Sequence, residues 1–478
     1  MKQSQKSVIR LCVFALVAVF LFSSCGRGVQ NTTTQTASTQ RSSVTSSKTT
    51  ASTKKNTSAT TESGKKDFED VNFFGKTFTF AVHVGADGKS DGEIYAEEDG
   101  AGFWDGYIYE RNQIMYEYYN CKIETVEISS LSLAAELASG GGKIDFVNAK
   151  YGAVARNGEN FYNFHEMDFG IDITFGNHGL MNSATVDGKL YAITSVFSLS
   201  YMDGIRILYF NKAVKGNIGA LENVDFYDLL DKNEWTLDKF CELLKLAENS
   251  GFYGLVSTEQ GIRDLYFGAG QGYAVKTDDA NGNSRFSHGF TDIASVATDK
   301  ILKIYGAEHN VIVEKGVPER IMKENGALFA LGSLSDLKEY ASVPVNCGVL
   351  PMPKLSARQA NYVSTNDYSG AMLSAVKTGY DINMVADFLT LFSLRTAYYL
   401  YNGYMNLYRF TYTTDIESSG VIETILKNDS FDFAYLHGFE NADELYVSAV
   451  LGGKNPVAEL RESIGAGIEE AAMAYKNA

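Results

Sequence analysis

Apolar positions fall into three regimes along this 478-residue chain. Residues 11–22 are an unbroken apolar run approached by Lys2, Lys6 and Arg10, and residues 26–66 contain almost no apolar side chains. From residue 67 onward apolar positions recur with the periods of strands and helices. The first run is too short to cross roughly 30 Å of hydrocarbon as a permanent helix, and with its basic approach it reads as an export signal over residues 1–24. The second regime is dominated by Ser and Thr and cannot bury enough surface to offset its ordering entropy, so residues 25–66 are expected to be a disordered tether. At about 5–6 Å times the square root of its length, such a coil holds a domain about 35 Å from its origin.

In the third regime Phe78, Phe80, Val82 and Val84 alternate as a half-buried strand does. An acid- and Gly-rich loop follows at 85–103, then a helix with Asp105 as its expected N-cap and Tyr107, Ile108, Ile114, Met115 and Tyr118 along one stripe. A strand at 123–128, a short helix at 131–138 and a strand at 144–147 complete a βαβαβ order, which predicts parallel strands with helical crossovers. Ligands of such sheets sit beyond the C-terminal strand ends, here residues 84–103 and 148–151. Extended character runs from 188 to 212, interrupted at 201–204. Thr236 caps an amphipathic helix carrying Leu237, Phe240, Leu244 and Ala247, and late helices are expected at 384–398 and 459–475.

Charge narrows the partners. Residues 67–478 hold 32 basic and 57 acidic side chains, a net −25, which argues against nucleic acid and anionic lipid surfaces. About 410 residues exceed one core and suit two lobes. Cys121, Cys241 and Cys347 form no paired spacing, leaving one disulfide plus a spare thiol or three thiols equally open. The six His residues show no H-x-x-x-H spacing and no C-x-x-C occurs, so neither a metal nor a cofactor is expected. Asp279-Ala-Asn-Gly-Asn283 resembles the start of a calcium loop but lacks the closing acid at position 12, and reads as a hairpin turn. Gly268-Ala-Gly-Gln-Gly272 lacks the Lys-Ser/Thr of a phosphate loop and reads as a flexible loop beside the ligand cleft.

Small residues ahead of Cys25 resemble the lipobox of bacterial lipoproteins, with Phe22 where Leu is usual; the resemblance implies lipidation at Cys25. Four further segments occur in a telling order: residues 189–212, Trp235-Thr-Leu-Asp238, Ile321-Met-Lys-Glu-Asn-Gly-Ala-Leu-Phe329 and Gly348-Val-Leu-Pro-Met-Pro-Lys354. That order resembles extracellular solute-binding proteins of ABC importers, in the sugar-binding cluster that includes maltose-binding protein. The resemblance implies an α/β, two-lobe periplasmic-binding-protein-like fold of type II character with a hinge between the lobes. Its N-lobe would span 67–195 plus 370–405 and its C-lobe 204–366 plus 406–478. Crossings are expected near 194–203, 366–370 and 401–410.

Mapping the family's cleft loops points to Tyr95 and Glu97 after the first strand, Lys150 and Tyr151 after the third, and Tyr201 and Asp203 at the first crossing. It adds Ser333 after the strand at 327–331, and Asn366, Asp367 and Tyr368 at the second crossing. Aromatic faces suit pyranose C–H surfaces, and carboxylates and amides match vicinal hydroxyls. Trp104 is read as a packing residue before a helix rather than a stacking platform. The implied role is a monomeric, lipid-anchored protein on the extracytoplasmic face of the cell membrane that captures a carbohydrate, expected to be an oligosaccharide, for the ABC permease. Alternatives are the same fold binding another solute or serving as a surface sensor, and, from another class, a glycoside-processing enzyme. No G-x-S-x-G or other nucleophile motif is present.

Overall fold

Three parallel strands open the folded part: β1 (Lys76–His83), β2 (Cys121–Ile128) and β3 (Phe146–Ala149). β1 lies between the other two, with Phe78 opposite Ile123 and Phe80 opposite Phe146, as the βαβαβ order predicts. The structure is a computed structural model that describes residues 68–476 apart from 69, 84–92, 129–143, 150–157, 159, 176–177, 195, 197, 307–310, 315–316, 342–345, 368–370 and 414. The export signal, Cys25, the tether and the helix expected at 131–138 lie outside the described residues.

The helix joining β1 to β2 spans Asp105–Tyr119. Trp104, not Asp105, occupies its N-cap, because the Asp105 carboxylate faces backward and accepts the Gly102 amide at 2.7 Å. Ile108, Arg111, Met115 and Tyr119 form the buried stripe, whereas Tyr107 is 48% exposed.

A second sheet contains β4 (Arg206–Asn211) and β5 (Tyr253–Ser257). The chain then makes a separate hairpin, β6 (Ala274–Asp278) and β7 (Ser284–His288), before adding β8 (Val311–Val313), β9 (Ala327–Ser333) and β10 (Cys347–Leu350) to the second sheet. The order there is β10-β4-β9-β5-β8, with β4 antiparallel to both neighbours and β5 parallel to β8 and β9. All six residues of β4 are buried, as a central strand covered on both faces requires. β11 (Met372–Ala375) returns to the first sheet, antiparallel to β3, giving the order β11-β3-β1-β2. The hairpin turn has Asp279 accepting the Asn281 and Asn283 amides, so its carboxylate closes its own turn.

Each sheet carries its own aromatic core. Helix Ile382–Thr396 covers the first sheet, and Phe388 stacks on Phe78 with ring centroids 3.8 Å apart while Phe80 stacks on Phe146 at 4.7 Å. In the second, buried Trp235 packs against Phe226, Phe240 and Phe329, and its indole N–H reaches the Pro351 carbonyl at 2.9 Å. Thr236 caps helix Leu237–Asn249 through the Lys239 amide, with Leu237, Phe240, Leu244 and Ala247 buried. The helix over the first sheet continues as a π-turn at Ala397–Tyr401, and from there on Leu400, Tyr404, Met405 and Tyr408 pack with Ile207, Tyr209 and Val349 of the second sheet.

The helix expected at 459–475 is two helices, Val457–Ser463 and Gly465–Lys476. Gly465 sits against the His288 ring, where a Cβ would come within 2.9 Å. Cys121, Cys241 and Cys347 form no disulfide with one another, and burial pushes the Cys121 and Cys347 thiols up to about 12.

Candidate functional site

The loop leaving β1 is built on one buried arginine. Arg111, 0% exposed, donates to the Glu93 carbonyl at 2.7 Å, to the Ile94 carbonyl at 2.5 Å and to the Thr396 hydroxyl at 3.2 Å. Its guanidinium also lies over the Phe392 ring at 4.4 Å. Burial, partly countered by the Glu93 charge, holds Arg111 down to about 9. The Glu93 carboxylate accepts the Leu199 amide at 2.9 Å, tying this loop to the short helix Leu199–Asp203. Burial raises Glu93 to about 7, with the Leu199 N–H opposing and the Asp203 charge reinforcing the shift.

So pinned, the loop presents polar and aromatic groups outward. Tyr95 is 43% exposed and donates to Glu97 at 2.9 Å, and Tyr109 donates to Glu98 at 3.3 Å. Phe103 is 70% exposed and stands edge-on to Trp104 at 4.8 Å. Trp104 itself rests on Gly403, where a Cβ would come within 3.3 Å of the indole, which is the packing role expected for it. Lys150, Tyr151 and Tyr368 lie outside the described residues.

The two expected crossings run side by side. Ile205 pairs antiparallel with Asn366, the Arg206 amide donates to the Thr365 carbonyl at 2.8 Å, and the Asp367 amide donates to the Gly204 carbonyl at 3.1 Å. The Asn366 side chain donates to the Tyr201 carbonyl at 2.6 Å. A Cβ at Gly204 would press on the Asn366 and Asp367 side-chain oxygens, so the glycine leaves room for the two segments to approach. Asp203 accepts from Tyr404 at 2.8 Å, Tyr408 at 2.6 Å and Lys338 at 2.5 Å, so its carboxylate fastens the crossing to two other segments.

Two expected ligand contacts face inward instead. Tyr201 is 1% exposed and donates to Asp429, because its ring fills the first core and its hydroxyl needs a buried acceptor. Ser333, 8% exposed, is paired with Ser335 at 2.7 Å and its amide with Asp336. Of the expected set, the structure leaves Tyr95 and Glu97 exposed, keeps Asp203 and Asp367 half-buried, and buries Asn366. The Gly268–Gly272 segment begins inside helix Gln260–Gly268, with Gly268 wedged against Met352.

A buried charge row went unnoticed in the sequence. Arg206 pairs with Asp264 at 2.8 Å, Arg263 pairs with Asp443 at 3.2 Å and covers the Tyr435 ring at 4.1 Å, and Tyr273 donates to Asp443 at 3.0 Å. The one available signal was the adjacent Arg263-Asp264 within an otherwise apolar helix. Among the described residues no cluster of His, Cys, Asp or Glu could hold a metal ion, and no helix is long and apolar enough to cross a membrane.

No family profile matches the chain, and no curated protein matches it in sequence. Solved structures do match in three dimensions. The galacto-N-biose/lacto-N-biose I-binding protein of the ABC transporter from Bifidobacterium longum, in complex with lacto-N-biose, is 12% identical, with 84% of this chain and 97% of that chain covered at a TM-score of 0.54. The maltose-binding protein MalE from Listeria monocytogenes in complex with maltose is 16% identical, covering 84% and 98% at 0.52. A family 1 extracellular solute-binding protein from Alicyclobacillus acidocaldarius is 13% identical, covering 84% and 98% at 0.52. The fold is that of the two-lobed periplasmic binding proteins. At these identities the likeness is one of fold, and many of the neighbours are maltose- or oligosaccharide-binding proteins of ABC transporters.

Proposed function

We propose that this chain is a lipid-anchored, extracytoplasmic solute-binding protein that captures a carbohydrate, an oligosaccharide by preference, and delivers it to an ABC permease. The observation that carries the reading is the shared fold with sugar-binding transport proteins. It is joined by an exposed acid and aromatic loop between β1 and helix Asp105–Tyr119, comprising Tyr95, Glu97, Glu98 and Phe103. In this proposal Tyr95, Glu97, Lys150, Tyr151, Asp367 and Tyr368 touch the sugar, while Tyr201, Asp203, Ser333 and Asn366 hold the crossings that let the lobes close. The N-lobe is assigned the first sheet and the C-lobe the second, Cys25 carries the lipid, and the protein acts as a monomer.

The test is a thermal-shift screen of the purified protein against a glycan panel. A ligand at about 100 times its dissociation constant adds about 2.7 kcal/mol to stability and raises the melting temperature. A flat response across mono- and oligosaccharides, with a shift for peptides or another solute, would replace the carbohydrate reading with the wider one.

A further inference from the structure

The β6–β7 hairpin belongs by sequence to the second sheet's side of the molecule, yet its tip is fastened to the first. Its root is in the second core: Tyr273 and Phe290, both 0% exposed, pack there with Tyr266 and Phe267. By Phe286 the hairpin has entered the first core, where that ring meets Phe433 edge-on at 5.1 Å.

Both ends are pinned. At the root, Asp432 accepts the Tyr273 amide at 2.8 Å and the Ala274 amide at 3.0 Å, and the Gly289 amide reaches the Tyr273 carbonyl at 2.8 Å. Gly289 leaves no room for a Cβ against the Gly272 carbonyl, so the two strands touch where they leave the second core. At the tip, the Ser284 amide donates to Asp187 at 2.8 Å, and the Asp187 amide donates back to the Ser284 hydroxyl at 2.9 Å. Lys476 adds an ion pair to Asp187 at 3.0 Å, and Lys276 donates to the Thr185 carbonyl at 2.7 Å. The 186–193 segment holding Asp187 runs on to Ile193, which pairs with Leu373 of β11 in the first sheet.

We propose that this hairpin is a brace across the hinge: a rigid fourth link, clasped at Asp187 and Ser284, that limits how far the two lobes open. The inference rests on the two-lobe hinge of the proposed function and goes beyond it. Chain crossings alone leave the lobes free to rotate about the line they define. A stiff two-stranded link anchored in both cores removes that freedom unless the clasp parts, and the reciprocal amide pairing makes the clasp either closed or fully broken.

The experiment measures lobe separation without any ligand, so its outcome is independent of the glycan screen. Donor and acceptor dyes are carried on unnatural residues at Val126 of β2 and Ile293 of helix Asp292–Tyr305, exposed by 42% and 60%. Asp187→Ala in the intact chain is expected to broaden the distance distribution toward longer separations and to speed amide exchange across 284–288 by tenfold or more. Asp187→Asn keeps an acceptor for the Ser284 amide but weakens the Lys476 pair, and should lie between. A folded Asp187→Ala protein with the parental distribution and exchange overturns the brace. Should that variant fail to fold, Asp187→Asn decides alone: a parental distribution overturns the proposal and a broadened one supports it.

Discussion

The hydroxyl of Tyr201 donates to the carboxylate of Asp429 at 2.8 Å, joining the first crossing to the segment after helix Ile416–Lys427 inside a buried core. Ser364, just ahead of the segment expected to form the second crossing, pairs with Asp429 along the backbone, so three passages of chain meet at this bond. Tyr201→Phe should therefore cost about 1–3 kcal/mol of stability by leaving a buried acceptor short of its donor. Urea unfolding checks this; an unchanged midpoint and slope would show the bond to be without net value.

Burial raises Asp429 to about 7, against the Tyr201 and Ser430 donors that favour its charge. A carboxyl whose folded value lies above its unfolded one contributes stability that is complete below about pH 4 and lost as pH rises through 7. Asp429→Asn removes that loss, so the variant should gain on the parent by about 1.4 kcal/mol per pH unit between pH 5 and 7. Denaturation midpoints at pH 5, 6, 7 and 8 measure it, and a gap constant across that range would contradict the assignment.

Gly204 has an ordinary helical φ of −78°, so its need is for space, not conformation. Gly204→Ala drives a methyl into the side chains of Asn366 and Asp367 and should destabilise by about 1–3 kcal/mol. Combining it with Asp367→Ala should recover part of that loss, since neighbouring changes couple. Strict additivity of the two would mean they do not meet.

Arg111 satisfies the Glu93 and Ile94 carbonyls from beneath the loop. Arg111→Ala should loosen residues 93–104 and cost about 3 kcal/mol or more, as losses of buried hydrogen-bond networks do. Hydrogen exchange localised to 93–104 would report it, whereas uniform protection would place the loop's support elsewhere.

If the exposed loop meets the sugar, Tyr95→Ala and Phe103→Ala should each weaken glycan binding by about 1–3 kcal/mol while leaving the melting temperature of the free protein nearly unchanged. Calorimetric titration with the best glycan from the screen decides. Parental affinity in both variants would move the contact surface away from this loop.

Much of the scaffold was legible locally. The alternation at Phe78, Phe80 and Val82 and the Thr236 cap depend on neighbours a few residues away, and each gave the element observed. Asp105 misled because its carboxylate chose Gly102 over the helix amides, a competition that sequence alone leaves undecided. The candidate site was harder. Tyr201 and Ser333 were placed toward a ligand by position, but their partners, Asp429 and Ser335 with Asp336, lie on segments whose approach depends on how the sheets pack.

The sequence by itself determined the periodic elements, the parallel order of the first three strands, the acidic balance and the hairpin at Asp279, since each follows from local spacing or composition. Only tertiary structure decided which polar side chains are buried, how Arg111 holds the 93–104 loop and Asp203 ties to Tyr404, Tyr408 and Lys338, and that Ser284 clasps Asp187 across 97 residues. The physical reason is that a hydrogen bond's worth depends on the burial and geometry of both partners, and distant partners acquire these only when the cores close around them.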